Sequence, residues 1–446
     1  MKSGGMSMFQ VILLCVFGAC AIAGVLIFAL AVGRGNSNVV GQVVIWGTFD
    51  GNAITDLLRE AADADSSLLG VTYVQKDADS YITGITDALA SGKGPDLIIL
   101  RQDFALTQET RVLPISFESL PKSEFERRYA DAASPFVSDS NILGLPILVD
   151  PLVLYWNKDM LNTAGYADAP KYWDQVQDMA QKITKRTETG TITKATIPFG
   201  QYKNVNNAKE ILSLLVMQAG GDITARDSDG VLQAELAPSQ TNVAMASLAA
   251  LRFYTDFADP AKPSYSWNAS LPEARKAFIA GDLALYIGLS SERKLISAAN
   301  PNLNFAAAGV PQRRSTSAAV NAGYTYAFTV PRTSKNQTGA YEVIRLLGAE
   351  ATNARMSQAV GLPSARRDVL NAASSTELGL NSKQAILVRS WADPDPAKTN
   401  EIFRAMIEDT VSGSLLLGEA VQRADRQIAT LLDTYNQEKN NVQQTP

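Results

Sequence analysis

The chain carries no histidine, and its two cysteines, Cys15 and Cys20, both fall inside one apolar segment near the amino terminus. The commonest general base, the commonest metal ligand and the thiolate nucleophile are therefore missing from the rest of the sequence, and no zinc-type cysteine cluster can form. Carboxylates, amides, arginine and aromatic rings remain. Asp103 closes the polar step Arg101-Gln102-Asp103 after the apolar run Asp96–Leu100, and Asp150 sits in the middle of Gly144–Leu161, GLPILVDPLVLYWNKDML. A lone carboxylate in an extended, two-sided apolar run is expensive unless it faces a partner. Trp46, Phe49 and Asp50 cluster at the end of the first apolar run; Trp267 and Trp391 stand in polar loops, and Tyr324 follows Asn321-Ala322-Gly323. Such a set can hold a polyhydroxylated molecule, with rings stacking on its apolar faces and carboxylates or amides taking its hydroxyls in pairs. Two carboxylates about 5–10 Å apart can also cleave glycosidic bonds, but nothing here singles out a proton donor.

Each candidate has a plainer explanation. Asp50 is placed to cap the helix that follows it, and a tryptophan ending an apolar strand, as Trp46 does, usually belongs to a core. Asp103 and Asp150 could serve ordinary loop or hinge ion pairs, and Tyr324 could be the buried start of a strand. For Trp267 nothing in the sequence suggests burial. Gln201, Tyr202 and Asn204 follow the strand-like Ile197–Gly200 and are further candidates. If Arg101 faces a ligand, its fork suits a carboxylate or phosphate. Arg313-Arg314 reads as a solvated loop and Trp156 as core. Gly92-Lys93-Gly94 lacks the spacing of a phosphate-binding loop, and no Gly-x-Gly-x-x-Gly opens the first helix. The formal charge of −5 argues against a nucleic-acid partner, which needs a basic face.

The elements that position these residues fall into two domains, as 446 residues suggest. Strands at Val43–Trp46, Val71–Val74 and Asp96–Leu100 alternate with helices at Ile54–Ala62 and Tyr81–Ala90. This is a βαβαβ unit with a parallel sheet, and such sheets bind ligands at the carboxyl ends of their strands. Those ends are Gly47–Asp50 and Arg101–Asp103. Gly144–Leu161 reads as two apolar strands joined at Asp150-Pro151, able to cross from one domain to another, and then a helix start. Beyond it the chain is largely helical, at Tyr172–Ile183, Ala208–Ala219, Asn242–Phe257 and Pro272–Ala280. Strands return at Leu283–Leu289, Phe305–Val310 and Tyr324–Val330, and helices fill Gly339–Gly348, Thr352–Val360 and most of Asn400–Tyr435.

Met8–Val32 is an uncharged apolar run of about 25 residues, long enough to span a bilayer. Three fates stay open: an uncleaved anchor, cleavage after Ala29-Leu30-Ala31, or lipidation at Cys20 in Phe17-Gly18-Ala19-Cys20. All three place the body outside the cytoplasm.

Four segments, in this order and spacing, resemble the family 1 extracellular solute-binding proteins, the group that includes maltose-binding protein. They are Gly94-Pro95-Asp96-Leu97-Ile98-Ile99-Leu100 with Asp103; Leu145-Pro146-Ile147 through Tyr155-Trp156-Asn157-Lys158-Asp159; Pro170 through Trp173; and Ala277-Phe278-Ile279-Ala280-Gly281-Asp282-Leu283-Ala284-Leu285. Tyr172 stands where the family commonly has threonine, and Leu285 where it has methionine. The resemblance covers nearly the whole chain from Val43. It implies an α/β, two-lobed periplasmic-binding-protein-like fold with crossing hinge strands, preceded by an N-terminal transmembrane or signal segment at 1–38. Lobe one would be 39–149 completed by 304–348, lobe two 150–303 completed by 349–436, and 437–446 a frayed tail. A solute, sugar by the family's example, would be held between the lobes by hinge closure. The implied ligand set is Trp46, Phe49, Asp50, Arg101, Asp103, Asp150, Tyr202, Trp267, Tyr324 and Trp391, with Asp103 and Asp150 aligned to cleft acids. No cofactor or metal is implied, a monomer is expected, and the partner would be an ABC permease in the membrane. A membrane-anchored ligand sensor and, further off, a glycan-cleaving enzyme are the alternatives.

Overall fold

The computed structural model describes residues 40–237, 241–314, 318–372 and 378–444. The apolar run with Cys15, Cys20 and Ala31 lies outside them, and among the described residues no helix is long and apolar enough to cross a membrane. The strands that matter here are β1 (Val43–Gly47), β2 (Val71–Gln75), β3 (Leu97–Arg101), β4 (Leu145–Asn157), β5 (Thr224–Arg226), β6 (Leu232–Ala234), β7 (Leu285–Leu289), β8 (Phe305–Ala308) and β9 (Gly323–Pro331). The helices that matter here are α1 (Gly51–Ala64), α2 (Tyr81–Ala90), α3 (Trp173–Ile183), α4 (Ala208–Gln218), α5 (Thr241–Thr255), α6 (Gln337–Leu347), α7 (Glu350–Val360), α8 (Gly379–Ile386), α9 (Pro396–Ser412) and α10 (Leu417–Gln444).

The first unit forms as its periodicity predicts. Ile54, Leu57, Leu58 and Ala61 line one side of α1, and Tyr81, Ile85 and Leu89 one side of α2, both turned to the sheet. β1 pairs in parallel with β2 and β3. The main sheet runs β7-β4-β9-β3-β1-β2, with β8 also on β4.

β4 joins the two halves. The sequence suggests two strands meeting at Asp150-Pro151, whereas the backbone is one continuous strand of 13 residues. The change at that point is of partner. Leu145–Pro151 pairs with β9, and Leu152–Trp156 pairs with β7. Pro151, which has no N–H to give, sits at this switch. Gly323 lies opposite it, where a Cβ would fall 2.5 Å from the Asp150 carbonyl oxygen and 2.7 Å from Pro151 Cα. Only glycine permits that approach.

Two separate cores mark the lobes. One holds 40–149 and the β9–α6 segment, and also Met356, Leu362, Ala365, Leu370, Ala385 and Val388. The other holds Leu152 through Ala322, then Ile402 through Leu432, with Leu106 from lobe one packed against it. The boundaries thus differ from those implied by the resemblance. Phe305, Val310 and Val320 pack in lobe two because β8 pairs with the far half of β4. Met356, Leu362, Ala365, Leu370, Ala385 and Val388 pack in lobe one, where Asn353 Nδ2 donates to the Ile147 carbonyl at 3.1 Å. Within the segment expected as a tail, α10 continues to Gln444, and its Lys439 reaches across to lobe one, with Nζ 2.6 Å from Asp139.

Candidate functional site

The sheet's polar strand ends meet α4 and the loop before α9 at the lobe junction. Beyond β3 the chain tightens into a short turn, and Gln102 braces it, its side-chain oxygen accepting from the Thr325 N–H and its Nε2 donating to the Gly323 carbonyl. Arg101 Nε and Nη2 each donate to an Asp103 carboxylate oxygen at 2.7 Å. The same guanidinium lies 4.0 Å from the centroid of the Tyr324 ring. The fork that could have taken an acidic or phosphorylated ligand is therefore committed to Asp103.

Lobe two supplies α4. Tyr324, on crossing strand β9, donates its hydroxyl to Glu210 in the first turn of α4. Burial, with Glu210 next in weight, pushes the Tyr324 phenol well above its ordinary range, so it stays a donor. Lys209 is buried, its Nζ 2.9 Å from Asp393 and 3.2 Å from the Thr399 hydroxyl. Burial works against its charge, but Asp393, Glu210 and Asp103 together hold the ammonium above its usual range. Trp391, two residues before Asp393, stacks on Phe403 of α9 with ring centroids 6.2 Å apart and 17° between planes.

These groups line two neighbouring chambers that share part of their walls. The inner one, of about 30 Å³, is lined by Gln102 and Asp103 from lobe one, by Lys209, Glu210 and Ser213 on α4, and by Tyr324 and Trp391. The outer one, of about 850 Å³, lies between the lobe-one stretch 122–139 and the lobe-two stretch 222–230. Met217, Arg389, Ser390 and Trp391 line both. At the far rim the lobes are tied directly: Asp139 of lobe one accepts from Arg226 on β5 and from Lys439 on α10, and Tyr435 donates to Glu109.

Of the residues singled out in the sequence, Arg101, Asp103, Tyr324 and Trp391 come together here. Asp150 is opposite Tyr324 in the sheet register, but its carboxylate turns the other way, accepting from Ser290 Oγ at 2.8 Å and from the Ser291 N–H at 3.0 Å. Burial pushes its carboxyl up to about 6 against those hydrogen bonds. Asp50 caps α1, accepting from the Ala53 N–H at 2.9 Å. Phe49 is buried edge-on against Tyr326, and Trp46 packs on the lobe-one core under Lys76 Nζ at 3.7 Å. Tyr202 donates to Asn400 at 3.1 Å on lobe two. Trp267 corrects the expectation of an exposed stacking ring: it is fully buried in the lobe-two core, its indole N–H donating to Asn204 at 3.1 Å. Ser266 and Trp267 fold back so that both N–H groups reach the Phe257 carbonyl, which draws the polar-looking loop inside. Asn204 is accounted for in the same way, its amide also donating to the Asn268 and Leu271 carbonyls.

Lys209, Glu210, Ser213 and Ser390 were not singled out. The first three lie in a segment legible only as an apolar-faced helix, and which of its polar residues face the other lobe depends on lobe packing.

A sequence model of the bacterial extracellular solute-binding protein family matches residues 69–354. The chain belongs to that family. The sugar-binding protein MalE from Xanthomonas citri is 16% identical, covers 91% of this chain and 100% of its own, and superposes with a TM-score of 0.69. An ABC transporter solute-binding protein from Thermotoga lettingae, solved bound with alpha-D-tagatose, is 20% identical over 88% of this chain and 100% of its own, with a TM-score of 0.66. A Brucella abortus protein known only as a binding protein is 22% identical over 346 residues, 76% of this chain and 79% of that one. The two structural likenesses establish the two-lobed fold, and the family makes this a bacterial extracellular solute-binding protein.

Proposed function

We propose that the solute is a carbohydrate or similar polyol and that the protein is the receptor of an ABC import system, delivering it to a membrane permease as a monomer held at the extracytoplasmic face of the cell membrane by its N-terminal segment. The observation that carries this reading is Trp391, an aromatic ring backed by Phe403 and lining both chambers. Around it Arg101 pairs with Asp103 and Lys209 with Asp393, which leaves a large part of recognition to stacking and to hydrogen bonds, as suits a sugar. Neighbours described as sugar-binding or solved with a sugar support the same class. Binding without catalysis fits the placement of the acids: Asp103 is held by Arg101, and Asp150 faces Ser290 and Ser291 outside both chambers.

Thermal unfolding with a panel of mono- and oligosaccharides, sugar acids and polyols tests the class. A ligand at 100 times its Kd adds about 2.7 kcal/mol of stability, so a binder raises the melting temperature visibly. A panel with no effect removes the carbohydrate reading and leaves a family member for another polar solute.

A further inference from the structure

Buried polar atoms in folded proteins nearly always have partners, and each exception asks for a reason. Among the described residues, Ser213 Oγ and Ser390 Oγ are buried without a hydrogen-bond partner. Both line the inner chamber, one from α4 and one from the loop that carries Trp391. Ser213 is only 2% exposed. Of the charges beside them, Arg101 is bound to Asp103, Lys209 to Asp393 and Glu210 to the Tyr324 hydroxyl, while the Arg389 guanidinium also lines the chamber. The two serines add a pair of uncommitted hydroxyls to that lining, each able to donate and to accept.

Size narrows the occupant. At about 30 Å³ the inner chamber takes one or two water-sized groups and no sugar ring, while the outer chamber of about 850 Å³ is in the range of whole-ligand pockets. Resting on the carbohydrate reading, we propose that the inner chamber is an end-reading subsite. The body of the sugar lies in the outer chamber against Trp391, and its terminal hydroxyl or hydroxymethyl enters the inner chamber to bond Ser213 and Ser390. These two serines are specificity-determining residues for the solute's end.

The test uses the whole protein, the variants Ser213→Ala and Ser390→Ala, and gluco-, galacto- and manno-configured mono- to trisaccharides with their 6-deoxy counterparts. The wild type should bind one parent sugar about tenfold more tightly than its 6-deoxy form, the scale of a lost hydrogen bond with a buried partner left unpaired. Each alanine variant should bind the parent about five- to tenfold more weakly, and the double variant should no longer distinguish parent from 6-deoxy sugar. Melting temperatures without ligand should not fall, because neither hydroxyl holds the fold; that readout separates a ligand contact from a structural serine. Parent binding unchanged in the double variant, or a melting temperature that drops with either alanine, overturns the subsite while the carbohydrate reading stands. A wild type that binds none of these sugars overturns the carbohydrate reading, and the subsite falls with it.

Discussion

Asp150, expected from the sequence as a cleft acid, lies outside the lining of both chambers with its carboxylate on Ser290 and Ser291. Its carboxylate is buried, and desolvation raises it from an ordinary 3.8 to about 6 against the hydrogen bonds from Ser290 and Ser291. A carboxyl whose folded value lies above its unfolded one stabilises below the unfolded value, and that contribution is lost as pH rises through the folded one. Wild type should therefore lose stability between pH 4 and 7 relative to Asp150→Asn, which keeps the acceptor for Ser290 and Ser291 but cannot ionise. The gap should widen by on the order of 2–3 kcal/mol in denaturant melts at the two pH values. Parallel pH curves for the two proteins would show that the buried charge costs nothing. Trp267, for which the sequence suggests no burial, is fully buried. Its neighbours Ser264, Ser266 and Asn268 are polar in the sequence, yet Ser266 donates to the Ile197 carbonyl at 2.8 Å and Asn204 receives the indole N–H, so the loop folds inward. Those partners lie more than 60 residues away along the chain, which no local pattern reveals.

At the scale of elements, the cleft depends on how α4 meets the loop before α9. Lys209 and Asp393 are both almost fully buried, and Thr399 bonds to the carboxylate as well. Removing one partner from such a pair leaves a charge with no compensation, at about 3–5 kcal/mol, whereas replacing both by apolar groups is often neutral. Lys209→Met should lower the melting temperature strongly, and Lys209→Met with Asp393→Leu should recover most of the loss. A double variant as unstable as the single would mean that the pair itself, and not its imbalance, holds the loop. Most elements were legible from sequence: α1, α2, α4 and β1–β3 follow their apolar periodicity, and the Asp150-Pro151 break marks where β4 changes partners. The lobe assignment of 349–388 was not legible, because amphipathic helices such as α7 and α8 could pack on either lobe. What decides it is pairing far along the chain, such as the Ala365 N–H to the Ile147 carbonyl at 2.9 Å.

At the scale of the molecule, the two lobes touch at the hinge strands, at the chambers and at a charged rim. The rim joins Asp139 and Glu109 of lobe one to Arg226, Tyr435 and Lys439 of lobe two, with Lys439 Nζ 3.7 Å from Glu109. Asp139 and Arg226 line the outer chamber, and all of these contacts join lobe one to lobe two, so they favour the lobes held together before any solute arrives. Exposed pairs of this kind are screened by salt and contribute about 0.2–1 kcal/mol each. Asp139→Asn with Glu109→Gln should enlarge the ligand-free radius of gyration in small-angle scattering and weaken solute binding by about two- to tenfold. A scattering curve unchanged by both substitutions would show that the hinge alone sets the lobe angle. The most direct check on a sugar held between the lobes is calorimetric titration of the stabilising sugar into wild type and Trp391→Ala side by side. The expected result is saturable one-to-one binding to wild type that weakens roughly 30-fold or more in the variant, as for a central aromatic anchor. Equal binding to both proteins would contradict it, since the solute would then lie away from the one ring that lines both chambers.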